Sequence, residues 1–401
     1  MNILFLTIGR FSSIEVHTLY ADLLRTFRDN GHTVYIISPN EKRNGKKTEL
    51  ICEKGANLLH IETGDVTGTR NLIRKGLAQL ELESLYIKAI KKYFSDVKFE
   101  LVIYSTPPIT FCKAVEFVKK RDGARTYLLL KDIFPQNAVD LGMMRKNGVK
   151  RLLYRYFRKK EKKLYDISDK IGCMSPANVE YILKNNPQID IAKVGVCPNA
   201  IEPIDMSVST EERKLMREQY GIPLDKKVFV YGGNLGKPQG IPFLIDCLRS
   251  QKDNDDAFFL IVGGGTEYGK LEEYIESEKQ RNVKLLARIP KEDYDRMVAA
   301  CDVGMIFLDH RFTIPNFPSR LLPYMQAKLP VLAVTDPNTD VGKIITEGGF
   351  GWWCESNDVE AFCKVINIVM EDTQSRGDRA FKYLQENYSV ELAYKIIMKD
   401  E

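Results

Sequence analysis

The chain is predicted to be an α/β protein made of two doubly wound domains, each on a mostly parallel sheet. Two observations predict this. Short apolar runs alternate with stretches of helical periodicity along all 401 residues, the pattern of repeated βαβ units. That length is also large for one hydrophobic core and comfortable for two. Pro198 and Pro203 interrupt the alternation and place the boundary within Pro198–Ser207. The domains are therefore read as residues 1–203 and 204–378, with 379–401 as a terminal segment.

In the first half the strand-like runs are Ile3–Thr7, Val34–Ile37, Leu101–Ser105, Tyr127–Lys131, Lys170–Met174 and Lys193–Val196. Helical spacing appears over His17–Asn30, Leu80–Phe94, Thr110–Arg121 and Lys150–Leu164. The second half repeats the scheme. Its strands are Lys227–Tyr231, Ala257–Val262, Val283–Leu286, Val303–Leu308 and Val331–Val334. Its helices are Ile241–Gln251, Tyr268–Lys279, Lys291–Ala300, Arg320–Ala327 and Val359–Asp372, with Ser319 expected to cap the fourth. Ligands of such sheets bind beyond the carboxyl ends of the strands, so two facing domains are expected to form a cleft.

Hydrophobic content of 44% with 28% charged residues fits an ordinary globular chain. No apolar run reaches the ~20 residues that span a bilayer. MNILFLTIG enters directly as a strand, without a basic segment or a cleavage site, and reads as no signal peptide. The eight cysteines show no CxxC spacing and read as reduced, buried residues of a cytoplasmic protein. Four scattered histidines argue against a structural metal site. The net charge of +5 hides an asymmetry: residues 1–200 hold 34 Lys/Arg and 21 Asp/Glu, and the remainder 25 and 33. A basic first half suits an anionic surface or substrate.

Several groups could carry chemistry. Gly232, Gly233, Gly236 and Gly240 follow a strand and precede a helix, where backbone can approach a ligand closely. Asn234 and Lys237 lie in the same turn; Lys237 adds positive charge, and the whole reads as a diphosphate cradle or as a plain Gly-rich turn. Gly263, Gly264 and Gly265 repeat the pattern after the next strand, either to hold a nucleoside or as a tight turn. Pro318-Ser319-Arg320 opens a helix, and Arg320 has the forked geometry that suits phosphate. In the first half, Lys131, Asp132, Pro135 and Asn137 sit just past a strand; Asp132 could orient a sugar hydroxyl or merely cap a helix. Ser105-Thr106-Pro107-Pro108 ends the preceding strand, and Gly9 and Arg10 end the first.

Arg145–Lys163 holds ten Lys/Arg and one acid, Glu161. Val149, Leu152, Leu153, Tyr156, Phe157 and Leu164 fall at helical spacing. Such a helix suits an anionic membrane surface, or it docks on its own sheet through the apolar stripe with a solvated basic back. No recognised nucleic-acid module accompanies the basic charge, so no nucleic-acid partner is expected.

Together these pieces resemble a family 4 glycosyltransferase of the GT-B fold, in the branch serving bacterial capsule and O-antigen synthesis. The resemblance rests on Ser105-Thr106-Pro107-Pro108, Asp132-Ile133-Phe134-Pro135, Pro198-Asn199-Ala200-Ile201-Glu202 and Tyr231-Gly232-Gly233-Asn234-Leu235-Gly236. It rests also on Ala300-Cys301-Asp302-Val303-Gly304 and on Pro318-Ser319-Arg320 with Tyr324-Met325. It implies two Rossmann-like domains, with the segment from Arg379 to Glu401 returning to the N-terminal one as a helix. It implies a UDP-sugar donor held by the C-terminal domain through Gly233, Asn234, Lys237, Gly264, Ser319 and Arg320. It implies retention of anomeric configuration, no metal or other cofactor, and Asp132 near the reacting sugar. The acceptor, a glycan or lipid-linked glycan, would meet Gly9, Arg10, Ser105 and Asn137 on the basic domain, at the inner face of the cell membrane. The chain departs from the family where a paired-glutamate motif would fall: Pro315 and Pro323 stand there. The family's phosphate-turn Arg and Lys fall at Asn234 and Gln239. The missing glutamates motivate one rival, a non-catalytic subunit that binds glycan or a partner; the other is a UDP-sugar epimerase of similar fold, for which Asp309 and His310 are the nearest acid/base candidates.

Overall fold

The apolar runs become the inner strands of two sheets, seen in a computed structural model that describes residues 1–65, 72–148, 151–371 and 376–399. The chain divides into two compact units, Met1–Glu202 with Val390–Glu401, and Pro203–Ser389.

In the first unit the order is β1 (Asn2–Leu6), α1 (Leu19–Asp29), β2 (Thr33–Glu41), β3 (Glu49–Glu53), β4 (Ala56–Thr63) and α2 (Leu72–Tyr93). Then come β5 (Leu101–Ser105), α3 (Cys112–Asp122), β6 (Arg125–Leu130), α4 (Gln136–Asp140) and α5 (Arg151–Ile167). β7 (Lys170–Cys173), α6 (Pro176–Asn185) and β8 (Val194–Val196) follow. The sheet runs β3-β4-β2-β1-β5-β6-β7-β8, and only the β3–β4 ladder is antiparallel. Ile3, Phe5, Leu101 and Ile103 are fully buried, as inner strands covered on both faces require. The order reverses direction at β1, so the loop carrying Gly9 and Arg10 leaves the switch point, where such sheets bind ligands.

In the second unit the order is α7 (Thr210–Gln219), β9 (Lys227–Asn234), α8 (Ile241–Ser250), β10 (Ala257–Gly264), α9 (Tyr268–Glu278) and β11 (Val283–Leu286). α10 (Lys291–Ala299), β12 (Val303–Phe307), α11 (Leu321–Gln326), β13 (Val331–Thr335) and α12 (Val341–Glu347) continue it. β14 (Gly351–Glu355), α13 (Val359–Glu371) and α14 (Arg376–Asn387) complete it. All strands are parallel in the order β11-β10-β9-β12-β13-β14, with the switch point at β9. The Gly-rich turn therefore leaves the equivalent position in this sheet.

A last helix, α15 (Val390–Met398), belongs to the first unit. Val390, Ala393 and Ile397 join its core beside Leu24 and Phe27. Tyr394 meets Phe27 edge-on at 4.9 Å between ring centres and lies 3.1 Å from His32 Nε2. The return thus begins at Val390 and not at Arg379. α14 stays with the second unit, where Tyr383 packs against Phe350 and Tyr388. The first division likewise falls after Glu202, which Arg25 ties to α1.

α5 corrects a second expectation. Leu152, Leu153 and Tyr156 are 71%, 51% and 40% exposed, whereas Leu164, Tyr165 and Glu161 are buried. The predicted apolar stripe does not dock the helix along its length; a face mixing Phe157, Arg158, Glu161 and Leu164 does. Val149 and Lys150, expected to begin the helix, lie outside the described residues, as do Asp372 and Glu401. No helix among the described residues is long and apolar enough to cross a membrane. Six of the eight cysteines are buried, but Cys52 is exposed and Cys363 half-buried, and all eight are free thiols.

Asp302, singled out by its motif, is structural. It accepts from Val228 N at 2.7 Å and Arg217 Nη2 at 2.6 Å, and pairs with Arg213. The Arg217 side chain is 3% exposed and also donates to the Ala300 and Pro223 carbonyls. Asp302→Ala strands that buried guanidinium, and a loss of about 3–5 kcal/mol in the unfolding of the second unit is expected, measured by chemical denaturation.

Candidate functional site

The second unit concentrates its candidate residues at the carboxyl end of β9. Gly233 has φ of +116°, a conformation that glycine adopts and L side chains rarely do. A Cβ there would lie 3.7 Å from Arg320 Nη2, so its absence keeps the space beside that guanidinium open. Arg320 lies over the Tyr231 ring, 4.3 Å from its centre. Its Nη1 is buried and has no hydrogen-bond partner, and no carboxylate among the described residues pairs with it. Tyr294 and Tyr324 complete the surroundings. The Tyr324 hydroxyl accepts from Gly232 N at 3.1 Å and lies 3.2 Å from the carbonyls of Val230 and Met305. Side chains at Gly232 and Gly304 would strike Tyr294 and Tyr324, at 1.7 and 2.4 Å.

The turn itself is braced by neutral groups. Gln239 Oε1 accepts from Asn234 Nδ2 at 3.0 Å and from Gly236 N at 3.2 Å. Asn234 is therefore occupied in the turn. Lys237 is exposed and in no ion pair among the described residues. The second glycine run serves packing. A Cβ on Gly263 would fall 1.9 Å from the Gly233 carbonyl, and one on Gly265 2.3 Å from that of Leu235. The turns after β9 and β10 thus abut backbone to backbone, and Gly264 pairs with Asn234 in register.

Ser319 is not the expected cap. It is exposed, and α11 starts at Leu321 with no side-chain cap bond. Its carbonyl accepts from Leu322 N at 3.2 Å. Pro323 occupies the first turn of α11, where a missing N–H costs least. Pro315 is buried in the preceding loop. Asp309 is gripped by Arg311 at 2.8 and 2.7 Å and by Arg311 N at 3.0 Å. Burial works against its charge, but those bonds hold its carboxyl below the usual value. His310 is exposed beside it.

In the first unit the candidates gather after β5 and β6. Thr106 Oγ1 accepts from the N–H groups of Lys131 and Asp132 at 3.0 and 3.1 Å, which fixes that turn. Asn137 Nδ2 donates to Asp132 Oδ1 at 2.7 Å, while its Oδ1 accepts from Ala138 N. Asn137 is thus a support for Asp132. Burial pushes the Asp132 carboxyl up to about 6, against the pull of Asn137 and the Ile133 N–H. Burial likewise pushes the Lys131 ammonium down to about 8. Ser105 is buried and bonded to Tyr20. Gly9 donates to Thr7 Oγ1 at 3.0 Å, and Arg10 is exposed at the edge of a separate pocket. Sequence reasoning passed over Lys131 as a titrating group and the tyrosines around Arg320; the spacing of Tyr231 and Tyr324 on one motif pair was the available signal. One cluster brings potential metal-ligand atoms of His17, Asp22 and Glu202 within 4.8 Å. Arg25 donates to both carboxylates there, so the cluster is an ion-paired knot.

Comparison with known proteins agrees with this layout. Residues 212–383 match the family of glycosyl transferases group 1. "Probable glycosyltransferase WbjE" of Pseudomonas aeruginosa is 26% identical over 321 residues, covering 79% of this chain and 78% of its own. WaaG, a glycosyltransferase involved in lipopolysaccharide biosynthesis, superposes with a TM-score of 0.67 at 16% identity over 98% of this chain and 99% of its own. Anabaena HepE, solved with UDP-glucose, gives a TM-score of 0.71 at 15% identity over 100% and 99%. The two Rossmann-like units are those of the GT-B fold.

The Asp132 shift fixes a pH signature. A carboxyl raised from 3.8 to about 6 binds its proton more tightly in the folded state. Stability therefore falls as pH rises through that interval, is undiminished below it and fully reduced above it. Asp132→Asn should remove the fall, with a gain in Tm that is larger near pH 8 than near pH 4 in paired thermal melts.

Proposed function

We propose that the chain, whose second unit carries a group 1 glycosyltransferase domain, transfers a sugar with retention from a UDP-sugar to a lipid-linked glycan in surface polysaccharide synthesis. The observation that carries the donor half is Arg320: a half-buried guanidinium whose enclosed Nη1 has no partner among the described residues, beside the opening left by Gly233. A charge in that condition is costly unless an anion completes it. A nucleotide diphosphate meets that need, and HepE with UDP-glucose supports the choice. As the bond from the sugar to the diphosphate breaks, negative charge grows on the leaving UDP. Arg320 and the exposed Lys237 are the cations assigned to it. The acceptor oxygen bonds to the sugar as the sugar–diphosphate bond breaks, and its proton passes to the departing diphosphate oxygen. Asp132, with its carboxyl near 6, is assigned to the reacting sugar, held by Asn137. No step is assigned to a metal or other cofactor.

The epimerase alternative finds little support. Such an enzyme needs a free acid and base, and Asp309 is committed to Arg311. The membrane side of the proposal rests on α5. Leu152, Leu153 and Tyr156 are exposed beside Arg151, Arg155, Lys159 and Lys162, all exposed too. Apolar and cationic side chains on one outer face suit an anionic lipid surface. A peripheral location on the inner face of the cell membrane follows from that reading, with WaaG's place in lipopolysaccharide synthesis as its parallel.

Calorimetric titration with UDP should show binding. Arg320→Ala should weaken it about 10–100-fold, the loss of charge-assisted bonds, and Arg320→Lys should recover only part of it because the fork is gone. No UDP binding at millimolar ligand overturns the donor assignment and favours a non-catalytic subunit. Co-sedimentation should show preference for anionic over neutral vesicles, weakened by Leu152→Ser with Leu153→Ser and by added salt. Equal partitioning to both vesicle types contradicts the docking.

A further inference from the structure

We propose that a pocket at the carboxyl ends of β1, β2 and β4 binds a saccharide carrying a negatively charged group, most simply as the acceptor subsite of the transferase. The last clause rests on the function proposed above; the pocket itself does not. It is an open depression of about 550 Å³, lined by Arg10, Phe11, Ser12, Pro39, Asn40 and Lys46, with Glu49, Ile51 and His60. Its floor is buried and polar. His60 is 8% and Asn40 7% exposed. Ser38 Oγ meets His60 Nδ1 at 2.8 Å, and Nε2 makes no hydrogen bond among the described residues. Asn40 Nδ2 donates to the Lys47 carbonyl at 3.4 Å, and its Oδ1 makes none among the described residues. Two largely buried side chains thus offer hydrogen-bonding atoms to one cavity. Phe11 and Pro39 add apolar wall. Polar atoms over a partly apolar floor match the hydroxyls and faces of a sugar ring.

The rim sets the charge. Arg10 and Lys46 are exposed, and neither forms an ion pair among the described residues. Both act on His60: burial chiefly lowers its pKa, Glu49 and Glu53 oppose that, and Arg10 and Lys46 reinforce it. Glu53 is taken up by Ser13 and Ile14 N, so among the residues that line the pocket two positive charges face one negative, Glu49. The pocket lies beside the switch point of the first sheet, on the β2 side of β1, and takes Arg10, Phe11 and Ser12 from the loop that leaves it. Arg10 can fork onto a carboxylate or a phosphate alike. The anionic group is accordingly a sugar carboxylate or a phosphate on the sugar.

The experiment is a titration of the full chain, by calorimetry, with three probes: a disaccharide ending in glucuronate, its glucose-ended counterpart, and glucose 1-phosphate. At least one charged probe should bind about tenfold or more tighter than the neutral one. Arg10→Ala and Lys46→Ala should each remove most of that advantage, and His60→Ala should weaken charged and neutral probes alike. A preference for glucuronate assigns the charge to a sugar acid, and a preference for glucose 1-phosphate assigns it to a phosphate. Equal affinity for charged and neutral probes, no binding of any, or indifference to Arg10→Ala and Lys46→Ala overturns the proposal. UDP titration of the same variants should be unchanged. If wild-type UDP binding fails while saccharide binding holds, the donor assignment falls and the pocket stands.

Discussion

A half-buried guanidinium with one enclosed nitrogen and no counter-charge among the described residues, at the end of β9, is the constraint around which the second unit is arranged. Arg320 keeps its charge at any accessible pH, so its surroundings must tolerate it. They do so with the face of Tyr231 below it and the phenols of Tyr294 and Tyr324 nearby. Those rings need room, and glycines supply it: Gly232 for Tyr294 and Gly304 for Tyr324. A glycine-rich segment that looks from sequence like a ligand cradle is thus in part a clearance for aromatic side chains. Only Gly233 directly opens the space beside the guanidinium.

The other polar groups nearby are paired off. Gln239 holds Asn234, and Arg311 holds Asp309. Where the family resemblance places two cations in the turn, a neutral amide clamp stands. Positive charge is therefore concentrated in Arg320 and Lys237 and not spread along the loop. Since Pro315 and Pro323 also remove two carboxylates from the expected pattern, acid and base have been thinned together. The local balance still favours an anion, by fewer and better-placed groups.

Much of the fold was legible in the sequence because parallel strands covered on both faces read as continuous apolar runs. Val283–Leu286 as β11 and Leu101–Ser105 as β5 are the plainest cases, and β1, β12 and β13 differ from expectation by a residue at their ends. The antiparallel β3 and the strand beside it escaped notice. Glu49–Glu53 is almost wholly exposed and holds only Leu50, Ile51 and Cys52 between two glutamates, too short a run to stand out, and β4 mixes His60 and Glu62 with its leucines. Of the site, Gly233, Lys237, Arg320 and Asp132 with Asn137 could be seen, because glycine, cation and strand-end position are local signals. The Asn234–Gln239 clamp, the tyrosine surround and the backbone packing of Gly263 depend on which turns meet, which no local pattern encodes. Ser319 shows the converse: a residue type apt for capping, on a helix that starts two residues later with no cap bond.

The reading of α5 failed for a related reason, and the failure bears on function. Helical spacing alone cannot tell a docked stripe from an exposed one. Here burial went to Glu161, whose carboxyl is raised by burial and answered by Arg158 and Tyr165, while Leu152 and Leu153 stayed outside. Scattered exposed leucines need no explanation, but these adjoin Arg151, Arg155, Lys159 and Lys162. Four cations at about 1 kcal/mol each give a surface affinity only near millimolar. Charge alone would leave the chain mostly in solution. Burying each leucine could add about 1.5–3 kcal/mol, so stable residence on a membrane depends on the apolar residues entering the interface, with the cations selecting which surface they enter.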